Sequence, residues 1–306
     1  MGNNTAVAYM GYFREQPIWD AAKETKEEND LMIISVNGSG SKTFFYSSFS
    51  SSYRKYIDEV YIYLSGEKVQ LWKYGVTSTW VNSYSFSTGG DHEIYIKLRQ
   101  DAVSSSDAPY AGNFYFLPNS LFQSITMKII QWPKDLNMIG ASCFRSATVN
   151  AAPKLPPNLL IVWHDAFNGC AGIAKDTGVM DFGDHLTSLG KYCLYGSKTN
   201  LTHIIIRSPL SDSGVDSWFN SYSIFNSQYA DIVITEGCTR FCQYMFSNTS
   251  GKVYCLGTTP PTFPTPTGSI SRTFYVPIGY GDVYKTAWSG VVDSSKIVEG
   301  ACPYTV

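Results

Sequence analysis

One apolar frame recurs between Trp132 and Phe246. The first copy is Trp132, Leu136, Ile139, Cys143 and Phe144, and the second is Leu155, Leu159, Val162, Ala166 and Phe167. The third is Phe182, Leu186, Leu189, Cys193 and Leu194, and the last is Ile234, Cys238, Phe241, Met245 and Phe246. The internal offsets are +4, +3, +4 and +1 in all four, and the copies start 23, 27 and then 52 residues apart. The last gap leaves room for one degenerate copy between Ile206 and Phe225. A period of about 20–29 residues marks a solenoid, in which no copy buries its own apolar face and neighbouring copies must do so. Stacked ~4.8 Å apart, Phe144, Phe167, Leu194, Phe225 and Phe246 are expected to form one buried row.

Ahead of the frame the pattern changes from a helical or mixed offset to a period of two. Leu31 to Val36 is a compact apolar run, followed by the turn signal Asn37-Gly38-Ser39-Gly40 and a return over Thr43 to Tyr46. Val60, Ile62 and Leu64 alternate with Tyr61 and Tyr63, Ser65-Gly66-Glu67-Lys68 turns, and Val69 to Tyr74 alternates again. Ile94, Ile96 and Leu98 alternate with Glu93, Tyr95 and Lys97. Such alternation predicts antiparallel strands with one wetted face. We therefore expect a sandwich-like all-β domain over residues 1–105, a solenoid over 106–250 and a C-terminal cap over 251–306. Leu121, Ile125, Met127 and Ile129 read as the strand that opens the array. Leu201 to Ile206 and Ile232 to Ile234 read as strands of later copies.

Composition narrows the function. Hydrophobic residues make up 44% of the 306 and charged residues 16%, which suits a folded chain. A net charge of −2 gives no electrostatic reason to expect nucleic acid. No apolar run is long enough for a membrane-spanning helix. Met1-Gly2-Asn3-Asn4 shows no secretory leader, and the following residues fit the myristoylation pattern poorly. Seven cysteines without a C-x-x-C pair point to buried free thiols rather than disulfides or zinc.

Ile139-Gly140-Ala141-Ser142-Cys143-Phe144 resembles the I-G-x-x-A-F core of BspA-like bacterial leucine-rich repeats, with Cys143 in place of Ala. Ala166-Phe167-Asn168-Gly169-Cys170 resembles the end of that core, and Leu186-Thr187-Ser188-Leu189-Gly190 its beginning. Val253 to Phe263, Thr273 to Pro277 and Tyr284 to Trp288 are similar to the segment that closes such arrays, so the resemblance covers about 121–300. It implies a mixed α/β fold: a short leucine-rich-repeat solenoid preceded by a small antiparallel all-β domain. It also implies a non-catalytic, adhesin-like module at a bacterial cell surface or secreted, binding a protein partner. Carbohydrate binding through exposed aromatics is an alternative. So is a structural role in a phage or cell-envelope assembly.

Candidate chemistry is sparse. Lys42-Thr43 matches the end of a phosphate loop, but its two glycine positions hold Val36 and Ser41 and a strand follows, so a turn is expected. His164 and Asp165 are adjacent and are expected to point to different sides. No metal, cofactor or catalytic set stands out. Aromatic side chains are the positive signal: Trp80, Tyr84, Trp163, Trp218, Tyr222 and Trp288 exceed what a core needs. Trp163 occupies the position held by Gly140, Gly190 or Cys242 in other copies, so its ring is expected to project from the array. Leu194 to Phe225 spans 31 residues, against 23 from Phe144 to Phe167 and 21 from Phe225 to Phe246. The extra residues are expected to bulge outward as a loop carrying Asp212, Asp216, Trp218 and Tyr222. With Trp163, these are the candidate binding residues for a protein or glycan ligand.

Overall fold

The structure, a computed structural model, describes residues 29–103, 112–152, 154–174, 176–196, 201–210, 230–246, 251–264 and 270–306. Eight strands precede the array: β1 (Leu31–Asn37), β2 (Gly40–Thr43), β3 (Ile57–Leu64), β4 (Glu67–Lys73), β5 (Ser83–Phe86), β6 (Asp91–Leu98), β7 (Asp101–Val103) and β8 (Gly112–Phe114). The array itself has two kinds of strand. Short ones are β9 (Phe116–Leu117), β11 (Met138–Ile139), β13 (Ile161–Val162) and β15 (Ser188–Leu189). The others are β10 (Thr126–Gln131), β12 (Thr148–Val149), β14 (Val179–Asp181), β16 (His203–Ile206), β17 (Asp231–Ile234), β18 (Lys252–Cys255), β19 (Thr273–Val276) and β20 (Ile297–Glu299). Among the described residues the only α-helix is α1 (Gly281–Ala287), so the fold is mostly β.

The array is a β-solenoid of stacked coils over about residues 116–299. Strands β9, β11, β13 and β15 pair in parallel along one side, and β14 and β16 to β20 pair in parallel along another. Between these sides the ladder continues through the turns. Ser142, Phe144 and Ser146 donate from their backbone N–H groups to the carbonyls of His164, Ala166 and Asn168, at 3.1, 2.8 and 2.8 Å. Asp165, Phe167 and Gly169 do the same to Lys191, Cys193 and Tyr195 in the next coil. The turn bends at two left-handed residues per coil. One set is Ser120, Ser142, Asp165, Tyr192 and Tyr244, each just before the fourth anchor; the other is Ser124, Ser146, Gly169 and Gly196, each two residues past the fifth.

The stacked row exists. The Phe144 ring lies 5.2 Å from Phe122 and 5.4 Å from Phe167, with interplanar angles of 23° and 13°. Leu194 and Phe246 are also buried; Phe225 lies outside the described residues. The row begins one coil earlier than the four copies suggest, at Phe122. Leu121 belongs to that earlier coil rather than to a strand.

The N-terminal unit is sewn onto the first coil twice. The expected return of the chain from β1 does not form a hairpin with it: β2 pairs with β5, and β1 sits centrally between β6 and β10. The compact apolar run explains this, since Met32, Ile34 and Val36 are all buried and a central strand needs partners on both edges. β10 pairs antiparallel with β1 and parallel with β12. It is thus the seam between sheet and solenoid, paired on both its edges, whereas β9 is the edge strand of the short-strand ladder. The second attachment is the 3-10 turn Ser51–Tyr56, which covers the outward face of the short-strand ladder. Tyr56 packs edge-on to Phe116 at 4.9 Å, and Asn119 donates to the Tyr53 hydroxyl at 2.8 Å. The β3–β4 hairpin turns at Ser65 and Gly66 with φ of 52° and 86°, the two-residue geometry that matches strand twist.

At the far end, β18 to β20 continue the parallel ladder while aromatic side chains close the core. Phe241, Phe246, Phe263, Phe274 and Trp288 form one ring cluster. Trp288 is therefore core rather than surface, with its indole N–H bonded to the Pro261 carbonyl at 2.8 Å. Tyr284 donates to the Gly257 carbonyl at 2.7 Å.

Six of the seven cysteines are buried free thiols, and Cys302 is half-exposed. Burial pushes the Cys170 and Cys238 thiols up to about 12, and raises Cys143, Cys193 and Cys255 as well. The thiolate is the reactive form. At neutral pH a chromogenic disulfide reagent should therefore titrate one thiol per native chain and all seven after denaturation. Rapid reaction of two or more in the native state would contradict the burial.

Candidate recognition surface

The stretch expected to carry the outward loop is flanked by two buried residues, Leu210 and Ala230. On either side of it, β16 and β17 pair residue for residue, from His203 with Asp231 to Ile206 with Ile234. Thr235 bonds back to Arg207 across a separation of 28 residues, as Thr187 does to Leu160 across 27, Thr202 to Gly178 across 24 and Lys252 to Asp231 across 21. The coil therefore closes in register with its neighbours, at 28 residues from His203 to Asp231 against 27 from Ile161 to Ser188. Leu210 donates to the Arg240 carbonyl at 3.0 Å on the exit side. On the return side the buried Arg272 guanidinium donates to the carbonyls of Ala230 and Lys252, at 3.2 and 3.4 Å. The side chain is 1% exposed, so it is held as a clamp rather than offered to solvent, and burial pulls its pKa down to about 10. Asp212, Asp216, Trp218 and Tyr222 lie outside the described residues.

Trp163 does not project. It is 5% exposed and packs with Tyr56, Phe116, Met138, Ala141 and Ile161. The frame position does face away from the main core, as expected. The 3-10 turn of the N-terminal unit covers that face, so the ring is enclosed in a second, smaller core. Trp163 cannot form part of an exposed recognition surface in this conformation.

The turns of the coils carry a polar row. His164 and Asp165 do not point to different sides: His164 Nδ1 lies 3.0 Å from Asp165 Oδ2. The left-handed backbone of Asp165, φ 56°, swings its carboxylate back toward the preceding residue. Burial opposes the Asp165 charge, but hydrogen bonds from His164 and Asn168 hold its carboxyl below the usual range. The row continues through Lys191 and Tyr192 to the exposed Tyr195, whose ring lies 5.2 Å from Tyr192. Nearer the insert, Arg207 binds Asp181 through two nitrogens, Nε and Nη2, at 2.9 and 2.8 Å. Burial opposes the Asp181 charge too, and the guanidinium wins, holding the carboxyl low. This fork borders a cavity of about 370 Å³ lined also by Lys154, Leu155, Ile173 and Met180. Among the described residues no group of three His, Cys, Asp or Glu side chains converges as a metal site. No described helix is long and apolar enough to cross a membrane.

Residues 115–252 match the family model of the BspA type leucine rich repeat region, in six copies. This stretch is a BspA-type leucine-rich repeat region. A search among curated proteins finds no match. The BspA-type match starts where the solenoid starts and thus includes the coil that opens at β9. The signal for that coil was present: Phe114, Leu117, Leu121 and Phe122 repeat the last four anchors of the frame with offsets +3, +4 and +1. It was obscured because Leu121, Ile125 and Met127 also alternate like a strand. Repeat regions of this type are generally non-enzymatic interaction scaffolds.

Proposed function

We propose that the chain is a non-catalytic recognition module of a bacterial surface or secreted protein, and that the insert between Leu210 and Ala230 carries its contact surface for a protein partner. The observation that supports this is the unbroken β16–β17 register on either side of the insert. Loops on one face of a solenoid often present binding residues, and the stretch proposed here is flanked by the buried Leu210 and Ala230. Trp218 and Tyr222 supply rings, and Asp212 and Asp216 supply charge, the composition of a protein-binding hot spot with a polar rim. The neighbouring polar row, Lys191 to Tyr195, extends the surface on the array side.

The test is surface binding of the full chain to a panel of purified extracellular proteins, native and enzymatically deglycosylated. The Trp218→Ser, Tyr222→Ser double variant should lose at least tenfold in affinity for any partner found while melting with the parent. Retained affinity would remove the insert from the contact surface. Binding that disappears on deglycosylation would favour a glycan ligand instead.

A further inference from the structure

The outer face of the long-strand ladder is covered by the chain that follows β20. Ile205 on β16, Val233 on β17 and Tyr254 on β18 are buried, yet they belong to neither hydrophobic core. Ile204, Ile206, Ile232 and Ile234 turn into the core, so strand alternation sends the other three outward. Residues 300–306 run back over this face. Gly300 donates to the Val276 carbonyl of β19 at 3.0 Å. Tyr304 lies against His203 of β16 and Tyr254 of β18. Thr305 and Val306 line the cavity of about 370 Å³ beside Ile205 and Arg207. Beyond Gly300, no described backbone group of this segment bonds to the ladder. Ala301, Pro303, Thr305 and Val306 are exposed, and only Cys302 and Tyr304 are half-buried.

Tyr304 is therefore the attachment. Its hydroxyl donates to Asp231 Oδ2 at 2.7 Å, its ring stacks on the His203 ring at 4.1 Å, and it meets Tyr254 edge-on at 5.7 Å. The buried His203 beneath it has a defined tautomer. Thr202 Oγ1 gives its proton to the Gly178 carbonyl at 2.9 Å, so toward His203 Nδ1, 3.0 Å away, it accepts. Nδ1 thus carries the ring proton and Nε2 is bare. Nε2 is buried with no hydrogen-bond partner among the described residues. A proton arriving there finds both nearby acids engaged. Asp231 on β17 accepts from the Lys252 backbone N–H through Oδ1 and from Tyr304 through Oδ2. Asp181 on β14 is held by Arg207. Arg207, Lys252 and Arg272, at the ends of β16, β18 and β19, are cations and oppose a further positive charge. An ionised group that is buried without a bonded partner is costly, so the proton favours an arrangement in which Nε2 reaches water.

We propose that residues 300–306 are a proton-released strap: Tyr304 holds it closed over a neutral His203, and protonation of Nε2 frees it and uncovers Ile205, Val233 and Tyr254 as a second apolar surface of the array. Burial opposes the charge on His203 more than Asp231 and Asp181 favour it, so its pKa is lowered while the strap is closed. Closure is therefore fully supported above about pH 6.5, the ordinary histidine value, and is lost as the pH falls below it.

Cys302, the half-exposed thiol, lies in the strap and reports its state in the full chain. Its rate of reaction with dithiodipyridine is divided by that of glutathione at the same pH. The ratio cancels the thiolate fraction, because between about pH 5 and pH 7.5 both thiols are almost wholly protonated, and burial raises the Cys302 pKa further. This range also lies above the ordinary carboxylate values. For the parent the ratio should rise roughly fivefold or more from about pH 7.5 to about pH 5. In Tyr304→Ala it should be high at both. In His203→Phe, which keeps a ring beneath Tyr304 but has no nitrogen to protonate, it should stay low at both. The pKa of His203, followed by NMR of its ring protons, should lie below the ordinary histidine value in the parent and move back toward it in Tyr304→Ala. A flat ratio in the parent would overturn the proposal, as would a rise that persists in His203→Phe. So would a His203 pKa that is the same with and without the Tyr304 ring.

Discussion

Phe144→Ala lowers the unfolding free energy by about 3–5 kcal/mol, the range for truncating a buried Phe, and the upper half is expected here. The ring is fully buried and lies between Phe122 and Phe167, with Trp132 edge-on at 5.7 Å. Its removal therefore breaks two stacked contacts, each adding roughly 0.5–1.5 kcal/mol beyond area burial. The hole cannot collapse readily, because the backbone on either side is fixed by coil-to-coil bonds at Phe144 and Phe167, both 2.8 Å. In a solenoid the damage also reaches the interfaces on both sides of the altered coil. Ile130→Ala is the control: Ile130 points outward, is 47% exposed and should change stability by no more than about 0.5 kcal/mol. Guanidinium denaturation of the three proteins decides the matter. A Phe144→Ala midpoint indistinguishable from that of the parent would mean that the row is not the core.

Gly190→Ala should be nearly as damaging although it adds a single methyl group. A Cβ at Gly190 would overlap the His164 amide nitrogen and lie 2.5 Å from the Trp163 carbonyl carbon. Both are backbone atoms of the preceding coil, so no rotamer change relieves the contact. The coils must separate, and the Gly190 to Val162 hydrogen bond of 2.8 Å stretches or breaks. Overpacking usually costs ~1–3 kcal/mol and more where the backbone must move, so a loss of about 3 kcal/mol is expected. Gly89→Ala meets nothing within 4 Å and should be neutral. If Gly190→Ala denatures at the same midpoint as Gly89→Ala, the close approach of the two coils is wrong. The two substitutions also test different things: Phe144 reports on the filling of the core, and Gly190 on the spacing of the ladder.

The apolar frame by itself determined the array, its buried row and the need for covers at both ends. A stacked coil buries the same positions every time, so Phe144, Phe167 and Leu194 are marked by spacing alone. The alternation of Ile94, Ile96 and Leu98 determined the wetted sheet in the same way. What lay beyond the sequence was everything set by a neighbour distant in the chain. That β1 pairs with β10 and not with β2 depends on competing edges, and apolar pattern does not rank edges. The frame led to the expectation that Trp163 projects from the array, and the packing of Ser51–Tyr56 over that side makes it a core residue instead. His164 and Asp165 meet because Asp165 is left-handed, a conformation shared at this frame position by Ser120, Ser142, Tyr192 and Tyr244. None of these residue types announces it as a glycine would; the ladder on both sides imposes it. Local periodicity records which face of the chain is buried, whereas what buries it is a long-range contact, and only the tertiary structure contains that information.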